Sequence, residues 1–269
     1  MKTIIFPTDF SKNADLAMNY AIDVAKALNA NILALNAFDL PYSQNVMSTS
    51  LLEIMRDISE KGLKEVGKKL AESGVQYETR SMMGNPIRIV KELTKARPDS
   101  IVVMGTKGAS GIEEILIGSN TASILHAVNV PVFAIPANSA NRNIERIVYA
   151  SDFQSARNER ALMQLAEMAA AFNAEVLILH VQIDEGAPVK AQREKFERIF
   201  ANVKHSFHVQ HAYEREVERV IQEFAEEKDA GMIALMARKH GFLEGLFHSS
   251  MTSKVAFHTK CPFLALHEE

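Results

Sequence analysis

The stretch of this chain whose residue types and spacing carry chemistry runs from Met104-Gly105-Thr106-Lys107-Gly108 to Gly118-Ser119-Asn120-Thr121. Gly105 and Gly108 tolerate positive φ and close backbone approach, so several N–H groups can turn toward one anion. Gly118-Ser119 then opens a helical pattern, whose first N–H groups lack intrahelical partners and whose dipole is positive there. The Ser119 hydroxyl adds a donor. A polyphosphate needs two such surfaces side by side. The chain contains no G-x-x-x-x-G-K-[ST], and no G-x-G-x-x-G follows its first apolar run, so the other common phosphate fingerprints do not fit. Glycines after a strand also serve tight turns without any ligand, and at this point both readings stand.

The elements that must position this loop alternate along the chain. Strands are expected at Thr3–Pro7, Ile32–Ala37, Tyr77–Met82, Ser100–Gly105 and Val132–Ile135, and again at Arg146–Ala150, Glu175–Val181, Ser206–His211, Met232–Ala237 and Phe263–Leu266. Helical patterns lie between them at Ala14–Leu28, Leu51–Glu72, Pro86–Ala96 and Asn120–Val128; Ile89, Val90, Leu93 and Ala96 mark the apolar face of the third. Several strands are apolar throughout, as befits a sheet covered on both faces. Such alternation predicts a doubly wound, mostly parallel sheet, whose ligands sit outside the carboxyl ends of the strands where the winding reverses.

The pattern occurs twice. Thr3-Ile-Ile-Phe-Pro-Thr-Asp9-Phe10 returns as Arg146-Ile-Val-Tyr-Ala-Ser-Asp152-Phe153, and Asn29-Ala-Asn-Ile-Leu-Ala-Leu-Asn36 as Asn173-Ala-Glu-Val-Leu-Ile-Leu-His180. Val130-Pro131 and the strand after it return as Cys261-Pro262 and its strand. Three blocks in one order predict two copies of one fold. The polar run Asn138–Asn143 has linker composition, which divides the chain into 1–138 and 144–269.

Spacing G-x2-G-x9-G-[ST] after a fourth strand resembles the nucleotide loop of the universal stress protein family, through Gly105, Gly108, Gly118 and Ser119. Pro7-Thr8-Asp9-Phe10-Ser11 resembles that family's opening motif, and Leu35-Asn36-Ala37 its leucine–histidine–valine run, with Asn36 departing from the histidine and Ala37 from the valine. Because both halves are covered, the chain is similar to the tandem type. The resemblance implies two Rossmann-like domains, each a five-stranded parallel sheet with helices on both faces. It implies ATP, with Mg2+, held by Pro7, Thr8, Asp9, Ala37, Met104, Gly105, Gly108, Gly118, Ser119, Asn120 and Thr121. Asp9 would accept from the ribose or adenine end, the backbone at Ala37 would meet the adenine, and the glycines, Ser119 and Asn120 would hold phosphates. It also implies pairing of the last strand of each half into an intrachain pseudo-dimer, with a homodimer and an unidentified protein as further partners. Asp9 has a structural reading as well, in ordering the turn before a helix that Ser11 caps.

In the second copy Ala237, His240 and His248 stand where the first has its three loop glycines, and the loop is shorter. A Cβ there restricts positive φ and fills space, so this copy is not expected to bind ATP in the same manner. His205, His208 and His211 share a strand but alternate faces, and His240, His248, His258 and His267 span separate elements, so no metal site is expected. Lys107, Glu113 and Glu114 read as solvated loop residues, and Cys261 as a small apolar residue.

Composition bounds the function classes. A formal charge of −3, no Trp and 7% aromatic residues argue against nucleic acid as a partner. One cysteine excludes a disulfide framework, and the N-terminal apolar run, broken by Pro7 and Asp9, is too short for a signal or a membrane span; a soluble cytoplasmic protein is expected. No nucleophile–base pair or metal cluster accompanies the loop. The leading expectation is an ATP-binding regulatory protein of stress response, not an enzyme beyond weak ATPase activity. The alternatives are a non-catalytic interaction scaffold with a vestigial cleft and a slow ATP hydrolase. Pro41–Ser50 and the helix after it are the segment expected to move.

Overall fold

The computed structural model describes residues 2–39, 49–106, 118–139, 143–151, 159–182, 190–213, 215–237 and 261–267. Gly108 and most of Pro41–Ser50 lie outside the described residues, as do Lys107, Glu113, Glu114, Asp152, His240, His248 and His258. Two compact units form, one holding the described residues up to Val132 and the other those from Phe133 onward.

The first unit runs β1 (Thr3–Pro7), α1 (Lys12–Leu28), β2 (Asn31–Phe38), α2 (Thr49–Ser73), β3 (Tyr77–Met83), α3 (Pro86–Ala96), β4 (Ile101–Gly105) and α4 (Ser119–Ala127). Its strands order as β3-β2-β1-β4, and β1 pairs parallel with β2 and β4, Ile4 facing Ile32 on one side and Ile101 on the other. The chain therefore winds outward from β1 to β3 and then returns to the far side of β1. That reversal opens a crevice at the carboxyl ends of β1 and β4. Ile4, Ile5, Val102 and Val103 are wholly buried, which is why these short strands are apolar without alternation.

The second unit repeats the plan. After β5 (Val132–Ile135), which spans the division, come β6 (Arg146–Ala150), α5 (Glu159–Phe172), β7 (Glu175–Gln182), α6 (Lys190–Ile199), β8 (His205–His211), α7 (Val217–Glu227), β9 (Met232–Ala237) and β10 (Phe263–His267). The order β8-β7-β6-β9-β10 reproduces the first winding, with Ile147 facing Val176 and Met232. The fold is α/β and mostly parallel, as the strand–helix alternation predicts. Every expected strand forms within two residues of its expected bounds.

Local chemistry explains what the repeated blocks preserve. Asn29 ends α1 in the left-handed region at φ 48°, and Asn173 ends α5 at φ 52°. After each, an alanine N–H closes back at 2.8 Å, Ala30 on Ala25 and Ala174 on Ala169. Asparagine tolerates this conformation better than other non-glycine residues, so it recurs where each helix must turn sharply into a strand. Ala17, Ala21 and Ala25 are buried on α1 and let that helix lie close on the sheet. On α3 the buried positions are Val90, Leu93 and Thr94, whereas Ala96 is exposed, and the Thr94 hydroxyl is satisfied by the Lys91 carbonyl at 2.9 Å.

Candidate functional site

The turn after β1 is built from side chain to backbone. The Thr8 N–H continues the β1–β2 ladder to the Leu35 carbonyl at 2.9 Å. The Thr8 hydroxyl accepts the Phe10 N–H at 3.1 Å, and Asp9 Oδ1 accepts the Ser11 N–H at 3.0 Å. Ser11 then caps α1 by accepting the Ala14 N–H at 3.2 Å. The turn thus engages the N–H groups of Thr8, Phe10 and Ser11 and sets Asp9 on the cleft wall. It suits a ligand's hydroxyl or amine, not an anion. The structural reading of Asp9 holds, and its carboxylate also lies on the cleft wall.

Asn36, which sequence reasoning left without a role, donates from Nδ2 to the Thr8 carbonyl at 2.7 Å. In the second unit His180 meets the Ser151 carbonyl through Nδ1 at 3.1 Å, and the Ser151 N–H reaches Leu179 at 2.9 Å. Amide and imidazole do the same work: each ties the carbonyl ahead of the acidic residue to the neighbouring strand. The clue lay in the repeat, which aligns Asn36 with His180 and Thr8 with Ser151, whose carbonyls are the acceptors.

Across the crevice, α4 opens at Gly118 with no side-chain cap, and its first internal bond is Ala122 N–H to the Gly118 carbonyl at 3.0 Å. The N–H groups of Ser119, Asn120 and Thr121 therefore have no helical acceptor and carry the positive end of the dipole. The Thr121 hydroxyl is engaged by the Gly105 carbonyl at 2.9 Å, and the Gly118 N–H by the Thr106 carbonyl; these bonds clip the helix to the end of β4. Gly105 does not use the positive φ that its residue type allows. It is absent from the positive-φ glycines, Gly74 and Gly84. A Cβ on Gly105 would stand 2.6 Å from Asn13 Oδ1, so the missing side chain makes room for α1. Gly118 has φ −59° and likewise needs no left-handed freedom.

Between these surfaces lies a cleft of about 350 Å³ within the first unit. Its walls are Pro7, Thr8 and Asp9 from the end of β1, Ala37 from β2, Met104 and Gly105 from β4, and Gly118, Ser119, Asn120 and Thr121 from α4. Ten sequence-expected residues thus converge on one crevice, and the eleventh, Gly108, is outside the described residues. Pro86 and Ile124 join them, unforeseen from sequence. Pro86 arrives because Asn85 caps α3, accepting the Ile87 and Arg88 N–H groups at 3.0 and 3.1 Å.

Other candidate groups separate. His205 contacts Glu197 on α6 at 2.9 Å, whereas His208 packs on the Phe224 ring of α7 at 5.1 Å, on the opposite face of β8. No cluster of three metal-ligating side chains occurs among the described residues. The Cys261 thiol donates to the Ala230 carbonyl at 3.2 Å, and desolvation pushes it up to about 12, which keeps it protonated. No helix among the described residues is long and apolar enough to cross a membrane.

Fold and cleft define a class: a duplicated, mostly parallel α/β chain with a crevice at the winding reversal of its first copy. The model of the Universal stress protein family matches residues 1–136 and again 143–267, and the chain belongs to that family. Universal stress protein MJ0531 of Methanocaldococcus jannaschii is 30% identical over 138 residues, covering 50% of this chain and 81% of that protein. A universal stress protein crystal structure from Archaeoglobus fulgidus superposes with a TM-score of 0.78 at 22% identity, covering 99% of this chain and 96% of the other. Another universal stress protein, solved in complex with cAMP, is 24% identical over 50% of this chain and 96% of its own, with a TM-score of 0.39.

Proposed function

We propose that this chain is an ATP-binding regulatory protein of the stress response, with the nucleotide held by residues 1–138 and a second domain, 144–269, that does not hold it in the same way. One observation carries the reading: the cleft places a hydrogen-bond-accepting carboxylate, Asp9, on one wall and the uncapped amino end of α4 on another. A nucleotide is polar in the matching sense, with donor hydroxyls on its ribose and negative charge on its phosphates. The apolar contribution of Leu35, Met104 and Ile124 suits a base between them. Ser119 and Asn120 are exposed at the helix mouth and would face the phosphates, whose charge Mg2+ would help offset. In this reading the Asp9 carboxylate, which already accepts the Ser11 N–H, orients the nucleotide's hydroxyls, and binding rather than turnover is the proposed work.

Calorimetry on the full chain tests this with Mg-ATP, and with cAMP as a ligand sharing the adenosine end. Saturable binding of one ATP per chain is expected, lost in Gly118→Val, whose branched side chain fills the helix mouth. Steady phosphate release above background would replace the reading with a slow hydrolase. Absence of any heat with either nucleotide would replace it with an interaction scaffold.

A further inference from the structure

Phe10 occupies the left-handed region at φ 62°, a conformation bulky L-residues avoid. On α2, far along the sequence, Gly62 interrupts a 25-residue helix, where a glycine weakens the helix relative to alanine. The two unfavourable choices meet. A Cβ on Gly62 would stand 2.5, 2.6 and 2.7 Å from Cζ, Cε2 and Cε1 of Phe10, so the tip of the ring sits on bare helix backbone. Phe10 is also the residue between Asp9, on the cleft wall, and Ser11, whose N–H the Asp9 carboxylate accepts.

We infer that Phe10 and Gly62 form a positioning pair for Asp9: the ring, seated on the glycine, holds residue 10 left-handed and so aims the neighbouring carboxylate into the cleft. Without the seat, residue 10 relaxes toward negative φ, the peptide between residues 9 and 10 rotates, and the Asp9–Ser11 bond is lost. α2 thereby gains a say in ligand affinity without touching the ligand. In its consequence for affinity, this inference rests on the nucleotide reading of the cleft.

Two measurements on the full chain keep the two ideas apart. In the unliganded protein, amide exchange at Ser11 followed by NMR is expected to speed up about tenfold in Gly62→Ala, the scale of a protection loss when a well-packed site is overfilled. Core amides such as those of Leu33 and Val102 should keep their rates. Phe10→Ala removes the ring while its Cβ still disfavours positive φ, and should accelerate Ser11 as well. Adding Phe10→Leu to Gly62→Ala shortens the clashing side chain and should restore protection. In calorimetry with Mg-ATP, Gly62→Ala should weaken binding about tenfold, in step with the exchange. Wild-type Ser11 rates in both single variants, or unchanged ATP affinity in a Gly62→Ala protein whose wild type binds, would overturn the inference. If the wild type itself binds no ATP, the functional reading falls, and the Ser11 rates alone decide the positioning pair.

Discussion

A single amide hydrogen bond explains why Asn36 stands where the second copy has His180. Both side chains reach one carbonyl, that of Thr8 at 2.7 Å and that of Ser151 at 3.1 Å, and both fasten the strand end that an acidic residue follows in sequence. The prediction is substitution by role. Asn36→His should leave unfolding free energy close to wild type, while Asn36→Ala should lower it by about 1 kcal/mol, the net worth of one internal hydrogen bond. Urea unfolding of the three proteins checks this, and equal losses in both variants would show that the amide itself, not a donor at this place, is required. Gly105 shows the limit of reading at this scale. The sequence marks it as special but attributes the need to backbone conformation. The cause is Asn13, a contact between α1 and the end of β4 that no local pattern reveals.

Secondary-structure elements were far more legible than contacts, because each is written in a local period. Apolar runs of five or six residues mark β1, β4 and β9, and Pro86 after Asn85 marks the start of α3. What local periods omit is which face each residue of an edge strand takes. On β8 the pattern His-Ser-Phe-His-Val-Gln-His is neither cleanly apolar nor cleanly polar, and its faces are chosen by α6 and α7. His205 packs against Phe200, just past α6, and Phe207 against Phe196 on it; His208 goes to Phe224 with its Nε2 2.9 Å from the Ser206 hydroxyl. Burial there, helped by the Lys228 ammonium, pushes the His208 imidazole below its ordinary pKa, against the opposing pull of Glu175 and Glu227. The unfolded chain then binds a proton more readily than the folded one. Stability is therefore full above about pH 6.5 and falls as the pH drops below it. Replacing His208 with Gln should flatten that fall between about pH 7.5 and 5.5. Unfolding midpoints at the two pH values measure it, and an unchanged slope would mean that the acid loss does not come from His208.

At the scale of the whole chain, one fold occurs twice, yet the loop glycines are found in one copy of the sequence. Ala237 ends β9 where Gly105 ends β4, and it is buried. His240 and His248 replace the remaining loop glycines in sequence. Duplication has thus preserved what folds the copy, namely the buried strands, the asparagine helix ends and the carbonyl tie at His180, while the loop chemistry diverged. On the proposed reading this has a direct consequence for ligand linkage. ATP at a hundredfold excess over its Kd stabilises the form that binds it by about 2.7 kcal/mol, and only segments forming the binding site and their cooperative neighbours gain that protection. Hydrogen exchange read by mass spectrometry, with and without Mg-ATP, should show slowing in peptides that span residues 7–14 and 118–127. Peptides from β6, β7 and β9 should exchange at unchanged rates. Slowing centred on Ser151, His180 and Ala237 would move the nucleotide to the second copy. Equal slowing in both would mean that glycine at these loop positions is not what selects the ligand.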